Sequence, residues 1–181
     1  MSIKNVDIVL GLNFGDEGKG RVVSRLCRSK KETLVVRFSG GPQAGHTVVH
    51  KDMRHIFSSF GSGTLKGIPT YWSRFCPVDP TSLIKEYMVL KDLGLHPKIT
   101  IDPLSPLITP FDILHQRNHD KTLENGTCAV GVGSTIERQE NMYKLYFMDI
   151  FNDKILRAKL QNIKTYYRVF DNQKYLYEKI V

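Results

Sequence analysis

Val6-Asp7-Ile8-Val9-Leu10-Gly11-Leu12-Asn13-Phe14-Gly15-Asp16-Glu17-Gly18-Lys19-Gly20 is the stretch whose reading decides the fold. An apolar, strand-like run at residues 6–12 empties into a turn holding glycines, an acidic pair and one lysine, and a helix is expected over residues 19–29. A buried strand that ends in glycines before a helix aims backbone N–H groups and the positive helix end at one spot, where an anion is stabilised. Lys19 adds a mobile positive charge there, and Asp16 adds a carboxylate suited to holding magnesium or accepting a proton. The spacing is not that of the common phosphate loop, G-x-x-x-x-G-K-[ST]. Gly20 stands where that loop carries its metal-binding hydroxyl, and six residues rather than four separate Gly11 from Gly18. The competing reading is a tight turn that needs glycine only for its backbone angles.

A second segment repeats the pattern. The run Thr33-Leu34-Val35-Val36-Arg37-Phe38 leads into Ser39-Gly40-Gly41-Pro42-Gln43-Ala44-Gly45-His46-Thr47, again strand then glycine turn, now with a histidine. Two such turns on neighbouring parallel strands are expected to open on one sheet edge, where open α/β sheets bind ligands. His46 is then a candidate acid or stabiliser of phosphate charge opposite Asp16, against the plainer reading of a loop histidine bonded to a nearby carbonyl.

With both segments in hand, the sequence resembles the adenylosuccinate synthetase family, GTP-dependent enzymes that join aspartate to IMP. The resemblance rests on Gly15-Asp16-Glu17-Gly18-Lys19-Gly20, on Gly40-Gly41 and Ala44-Gly45-His46-Thr47-Val48-Val49, and on three later stretches in family order. These are Gly61-Ser62-Gly63-Thr64-Leu65, Val78-Asp79-Pro80, and Gly126-Thr127-Cys128-Ala129-Val130-Gly131-Val132-Gly133. It implies an α/β fold with a mostly parallel sheet of P-loop-NTPase-like type, a helical C-terminal region, and a homodimer.

The resemblance also implies roles. Asp16 matches the catalytic base, which takes a proton from the purine ring while the ring oxygen is phosphorylated, and which also coordinates Mg2+. His46 matches the partner acid that stabilises charge on the moving phosphoryl group. Such transfer rests on positioning and electrostatics more than on covalent help from the protein. Gly15, Gly18, Lys19 and Gly20 match the GTP-phosphate loop; the Gly45 carbonyl and Thr47 match metal and phosphate neighbours. Asp16, Gln43, Thr127 and Cys128 fall at purine-nucleotide positions.

The departures cluster around that nucleotide. Pro42-Gln43 replaces the family's His-Asn, and Cys128, Ala129 and Val130 replace a Thr-Gly-Arg run. Ungapped alignment puts Met142 where the family carries an arginine that reaches the other subunit's nucleotide, leaving Lys144 or Arg138 nearby as substitutes. A related phage branch that aminates deoxyguanylate replaces the catalytic aspartate, which Asp16 retains. The match runs from about Val6 to Tyr177, and the family's chains are longer. No Asn/Thr-Lys-x-Asp guanine-recognition element occurs in these residues, and the resemblance assigns no aspartate site here.

Composition agrees with one soluble domain over residues 1–181. A domain of about 150 residues buries about 68–70% of the surface its unfolded chain exposes, and 41% hydrophobic with 24% charged residues is ordinary for a globular chain. Twenty-six Lys and Arg against 18 acids give a net charge of +8, which suits polyanionic nucleotides. The basic residues are scattered without an aromatic-basic motif, so nucleic acid is not the expected partner. Cys27, Cys76 and Cys128 are odd in number and widely spaced, which points to reduced thiols in a cytoplasmic protein. No signal-peptide core or membrane-length apolar run is present.

Further along, the region 46–65 reads as a mobile loop between short strands. A helix is expected at 81–93 after Asp79-Pro80, stopped by Gly94, then a strand at 98–101 and a helix near 111–117. From Met142 to Ile180 the chain lacks glycine and proline and is rich in aromatics, so helices are expected, their rings filling a core or dimer face.

Overall fold

The computed structural model describes residues 5–13, 15–27, 32–119 and 128–168. Its order is α1 (Lys19–Leu26), β1 (Val35–Arg37), β2 (His46–His50), β3 (Met53–Phe57), β4 (Thr70–Trp72), α2 (Pro80–Asp92), β5 (Ile99–Ile101), α3 (Pro110–His119), α4 (Val132–Glu140) and α5 (Asp153–Tyr166). The fold is α/β. β-branched and aromatic residues form a parallel sheet in the order β1, β4, β5, with Val35 opposite Thr70 and Thr70 opposite Ile99. The β2 and β3 strands form a separate antiparallel hairpin with His46 opposite Phe57.

Several elements follow directly from local chemistry. Asp79 caps α2, its carboxylate accepting from Thr81 N at 3.0 Å, with Pro80 in the first helical position. Gly94 takes φ +75° just past the end, as a helix stop requires. The aromatic tail does build a core: Tyr143, Phe147 and Tyr167 pack against Trp72, Cys76, Val78, Leu107, Phe111, Leu145 and Ile163. A second cluster, Val48, Phe57, Phe60, Leu65 and Leu90, joins the hairpin to α2. Cys27 and Cys76 are buried and Cys128 is exposed, all three as free thiols. Among the described residues no helix is long and apolar enough to cross a membrane.

Two expectations are corrected. Residues 6–12 form no strand: Val6, Ile8, Leu10 and Leu12 are exposed, and the N–H groups of Leu12 and Asn13 go to the Glu17 carboxylate instead of a ladder. Strand-prone side chains still need a neighbouring strand to satisfy the backbone, and β1 ends the described sheet on its outer side. The first glycine turn is therefore not carried on a strand parallel to β1. The second correction concerns residues 46–65, of which only 58–63 form irregular backbone between short strands. They are the β2–β3 hairpin followed by a buried crossing and a short 3-10 turn at Thr64–Lys66, with Ser59, Phe60, Ser62 and Leu65 all buried. The helical tail is seen as a short 3-10 helix at Phe147–Phe151 and α5. The expectations for residues 28–29, Gly126, Thr127, Phe170, Tyr175 and Tyr177 lie outside the described residues.

Candidate functional site

The glycine segments meet through close backbone approaches. A Cβ added at Gly20 would stand 2.8 Å from His46 Cβ and 3.1 Å from Ser62 Oγ, so only glycine lets the first turn of α1 lie against β2. Gly41, in the turn after β1, approaches Val132 at the start of α4: its added Cβ would meet Val132 Cγ2 at 2.8 Å. The start of α1 therefore meets the start of β2, and the turn after β1 meets the start of α4, although the first glycine segment arrives by helix packing rather than on a strand.

The two helix N-termini in these contacts have no side-chain cap. α1 begins after Gly18 at φ +74° and α4 after Gly131 at φ +84°. By contrast α2 and α5 are capped by Asp79 and Asn152. Uncapped first-turn N–H groups keep their capacity to bind an anion.

His46 opens β2 half-buried, and its burial together with the positive charges of Arg37 and Lys19 pushes its pKa below the ordinary imidazole value, against a smaller opposite pull from Glu86. Thr47, the next residue along the strand, is exposed on the opposite face by strand alternation. Gly15 (φ +118°) and Asp16 (φ +51°) are exposed on the turn before α1. A left-handed φ at a non-glycine residue carries strain, which is typical of functional turns. Gln43 and Gly45 are exposed beside this site. Cys128 is exposed, and Thr127 lies outside the described residues.

Three residues that sequence reasoning passed over hold the site together. The buried Arg37 guanidinium donates to Gly41 O at 3.2 Å and to Ser58 O, and lies 4.6 Å over the Trp72 ring. It thus ties the β1 turn to the segment after β3. Glu86 on α2 is buried and accepts from Ser58 Oγ at 2.8 Å and from the N–H groups of Ser58, Ser59 and Phe60 at 3.1, 2.5 and 3.4 Å, with His55 Nε2 at 3.3 Å. Several N–H donors on one carboxylate explain why residues 58–60 run buried with their backbone satisfied. The signal for Arg37 was available as a cation inside an apolar strand run. Glu17, the third, accepts from Leu12 N at 2.7 Å, Asn13 N at 2.8 Å and Lys19 Nζ at 3.0 Å.

Of the substitutes for the arginine replaced by Met142, Arg138 is unavailable. It is fully buried, with Nε 2.8 Å from Asp112 Oδ1 and further bonds to the Leu107 and Tyr143 carbonyls. Met142 and Lys144 are both exposed.

The adenylosuccinate synthetase family model matches residues 8–180. The chain belongs to the adenylosuccinate synthetase family. It is 35% identical over 170 residues to the adenylosuccinate synthetase of Buchnera aphidicola subsp. Acyrthosiphon pisum, covering 91% of this chain and 39% of that protein. With the Shewanella frigidimarina enzyme the identity is 32% over 183 residues, covering 98% and 42%. A fully ligated adenylosuccinate synthetase from Plasmodium falciparum shares the fold, with a TM-score of 0.74 at 20% identity over 94% of this chain and 43% of that one. A cyanophage S-2L succinoaminodeoxyadenylate synthetase, solved with dGMP and dATP, matches with a TM-score of 0.58 at 19% identity. The chain thus spans about two-fifths of the length of the adenylosuccinate synthetases it matches.

Proposed function

We propose that this chain, a single domain, is the phosphate-transfer part of an adenylosuccinate synthetase-type ligase, working in the cytoplasm as a homodimer. In this reading GTP phosphorylates the 6-oxygen of IMP or a related purine nucleotide, and the amine of aspartate then displaces phosphate. The observation that carries it is the Gly20–His46 approach, which sets Lys19 and the uncapped start of α1 beside a half-buried histidine. Lys19, Gly18, Gly20 and Gly15 bind the triphosphate, with Gly45 and Thr47 as neighbours. Asp16 accepts the ring proton, and His46, held neutral by its surroundings, hydrogen-bonds the phosphates. Gln43, Thr127 and Cys128 border the purine nucleotide. Phosphorylation turns a poor oxygen leaving group into a good one, which is the chemical purpose of spending a triphosphate.

Among the described residues no three His, Cys, Asp or Glu side chains gather into a protein-only metal cage. Magnesium commonly takes one or two carboxylates together with substrate phosphates and water, so the donor chemistry of Asp16 and the Gly45 carbonyl fits a cation that arrives with the nucleotide. When bound it neutralises charge developing on the phosphates.

Purified chain with IMP, GTP, aspartate and Mg2+ is expected to release phosphate, and Asp16→Asn or His46→Gln is expected to abolish the release. One observation favours a second reading, a nucleotide-binding relative or subunit of a split enzyme without turnover of its own. Arg138 is locked on Asp112 and Met142 carries no charge, so Lys144 is the remaining cation of the three. GTP binding without phosphate release would select that reading.

A further inference from the structure

The turn proposed to cradle phosphate already holds an anion. Oε1 of Glu17 accepts from the successive N–H groups of Leu12 and Asn13 at 2.7 and 2.8 Å, and Oε2 accepts from Lys19 Nζ at 3.0 Å. Successive backbone N–H groups aimed at one oxygen form the kind of concavity that binds anions. Gly11 makes room for the carboxylate: an added Cβ would lie 1.9 Å from Glu17 Oε2 and 2.6 Å from Lys19 Nζ. The Lys19 ammonium, the one mobile cation of the turn, is thereby committed to a partner two residues away.

We infer that the Glu17 carboxylate is an internal stand-in for phosphate, held by Lys19 and the Leu12 and Asn13 N–H groups until a triphosphate displaces it. This rests on the reading of the turn as a triphosphate site. Glu17 is then a residue that sets affinity: it holds Lys19 in place in the empty turn and competes with the incoming ligand. Its charge is kept on, because the Lys19 hydrogen bond and the Asn13 and Leu12 N–H groups hold its pKa below the ordinary carboxylate value against a smaller desolvation effect. A ligand that binds only after an occupying group leaves has its affinity reduced by the fraction of molecules in which the site is open. Vacating the turn should therefore tighten binding, whereas simple damage to a turn loosens it.

Two substitutions vacate it differently. Glu17→Gln removes the charge, and Gly11→Ala expels the carboxylate by crowding. Titration calorimetry with GTP and, separately, with inorganic tripolyphosphate is expected to show both variants binding about threefold to tenfold tighter than the parent chain, with Lys19→Ala losing binding in every background. The tripolyphosphate arm ties the gain to the phosphates rather than the base. Binding by the variants alone supports the inference most strongly. GTP binding by the parent with equal or weaker binding by Glu17→Gln and Gly11→Ala overturns the inference and leaves the triphosphate site standing. No binding of either ligand by the parent or the variants overturns the triphosphate site itself, and the inference with it.

Discussion

Two ion pairs in this molecule use the same chemistry to opposite ends. Arg138 and Asp112 are both fully buried at 2.8 Å. The carboxylate also accepts from Thr109 N and Oγ1, each at 2.7 Å, and from the Tyr167 hydroxyl at 2.9 Å. Lys19 and Glu17 stand at 3.0 Å with side chains 34% and 18% exposed, and their other partners are N–H groups in a turn. The first pair locks α3, α4 and the end of α5 together. The second is exchangeable, because water or another anion reaches its donors. A charge used for architecture is removed from solvent; a charge meant for a ligand is left within its reach.

The largest expected effect comes from breaking the locked pair. Arg138→Met leaves Asp112 buried without its cation, and removing one partner of such a pair costs about 3–5 kcal/mol. Urea unfolding monitored by circular dichroism is expected to show that loss. Lys19→Met, which breaks the exposed pair, should change stability by less than about 1 kcal/mol. Equal losses in the two variants would erase the distinction between the regions.

A smaller effect is expected at the contact that joins the exchangeable pair to the rest of the site. Alanine in place of glycine within a helix ordinarily gains about 1 kcal/mol. At position 20 the added Cβ meets His46 Cβ at 2.8 Å and Ser62 Oγ at 3.1 Å, and overpacking of this kind costs about 1–3 kcal/mol. Gly20→Ala should therefore be neutral to destabilising by about 2 kcal/mol, and should weaken tripolyphosphate binding as α1 is pushed off β2. A clear gain in stability with unchanged binding would show that the two segments do not meet.

The contrast also separates what the sequence makes legible from what it does not. Asp79-Pro80 and Gly94 bound α2 because capping and helix stopping are local chemistry, written in adjacent residues. The glycines at 18, 20 and 41 mark the site because positive φ at Gly18 and close approach at Gly20 and Gly41 disfavour other residues. The 6–12 run misleads because its apolar, β-branched composition reports a capacity for pairing, and whether a partner strand lies alongside is a property of distant residues. The roles of Arg37 and Glu86 are hidden for a similar reason. Their partners are backbone groups at Gly41 and residues 58–60, brought close only by the fold. Glu17 was visible as half of an acidic pair, but only its reach back to Leu12 and Asn13 reveals it as the occupant of the turn.

His46 offers the finest measurement, since it feels the exchangeable region through Lys19 and the buried scaffold through Arg37. Burial, then Arg37 and Lys19, hold its folded-state pKa below the unfolded value of about 6.5. Above that value both states are neutral at this site and it contributes no pH dependence. As pH falls through about 6.5 the unfolded chain takes the proton first, so stability declines until the folded-state pKa is also passed. His46→Gln is expected to remove that portion of the acid-side decline, read as the difference between the two stability curves from pH 8 to 5. A triphosphate seated on Lys19 works the other way. It brings negative charge toward the imidazole and neutralises one of the cations that depress it, so the pKa rises and binding near pH 6 takes up protons. Calorimetry of tripolyphosphate binding in buffers of different ionisation enthalpy should register that uptake in the parent chain and a smaller one in His46→Gln. Identical uptake in the two would place the bound phosphates out of reach of His46 and confine the exchangeable region to the turn around Lys19.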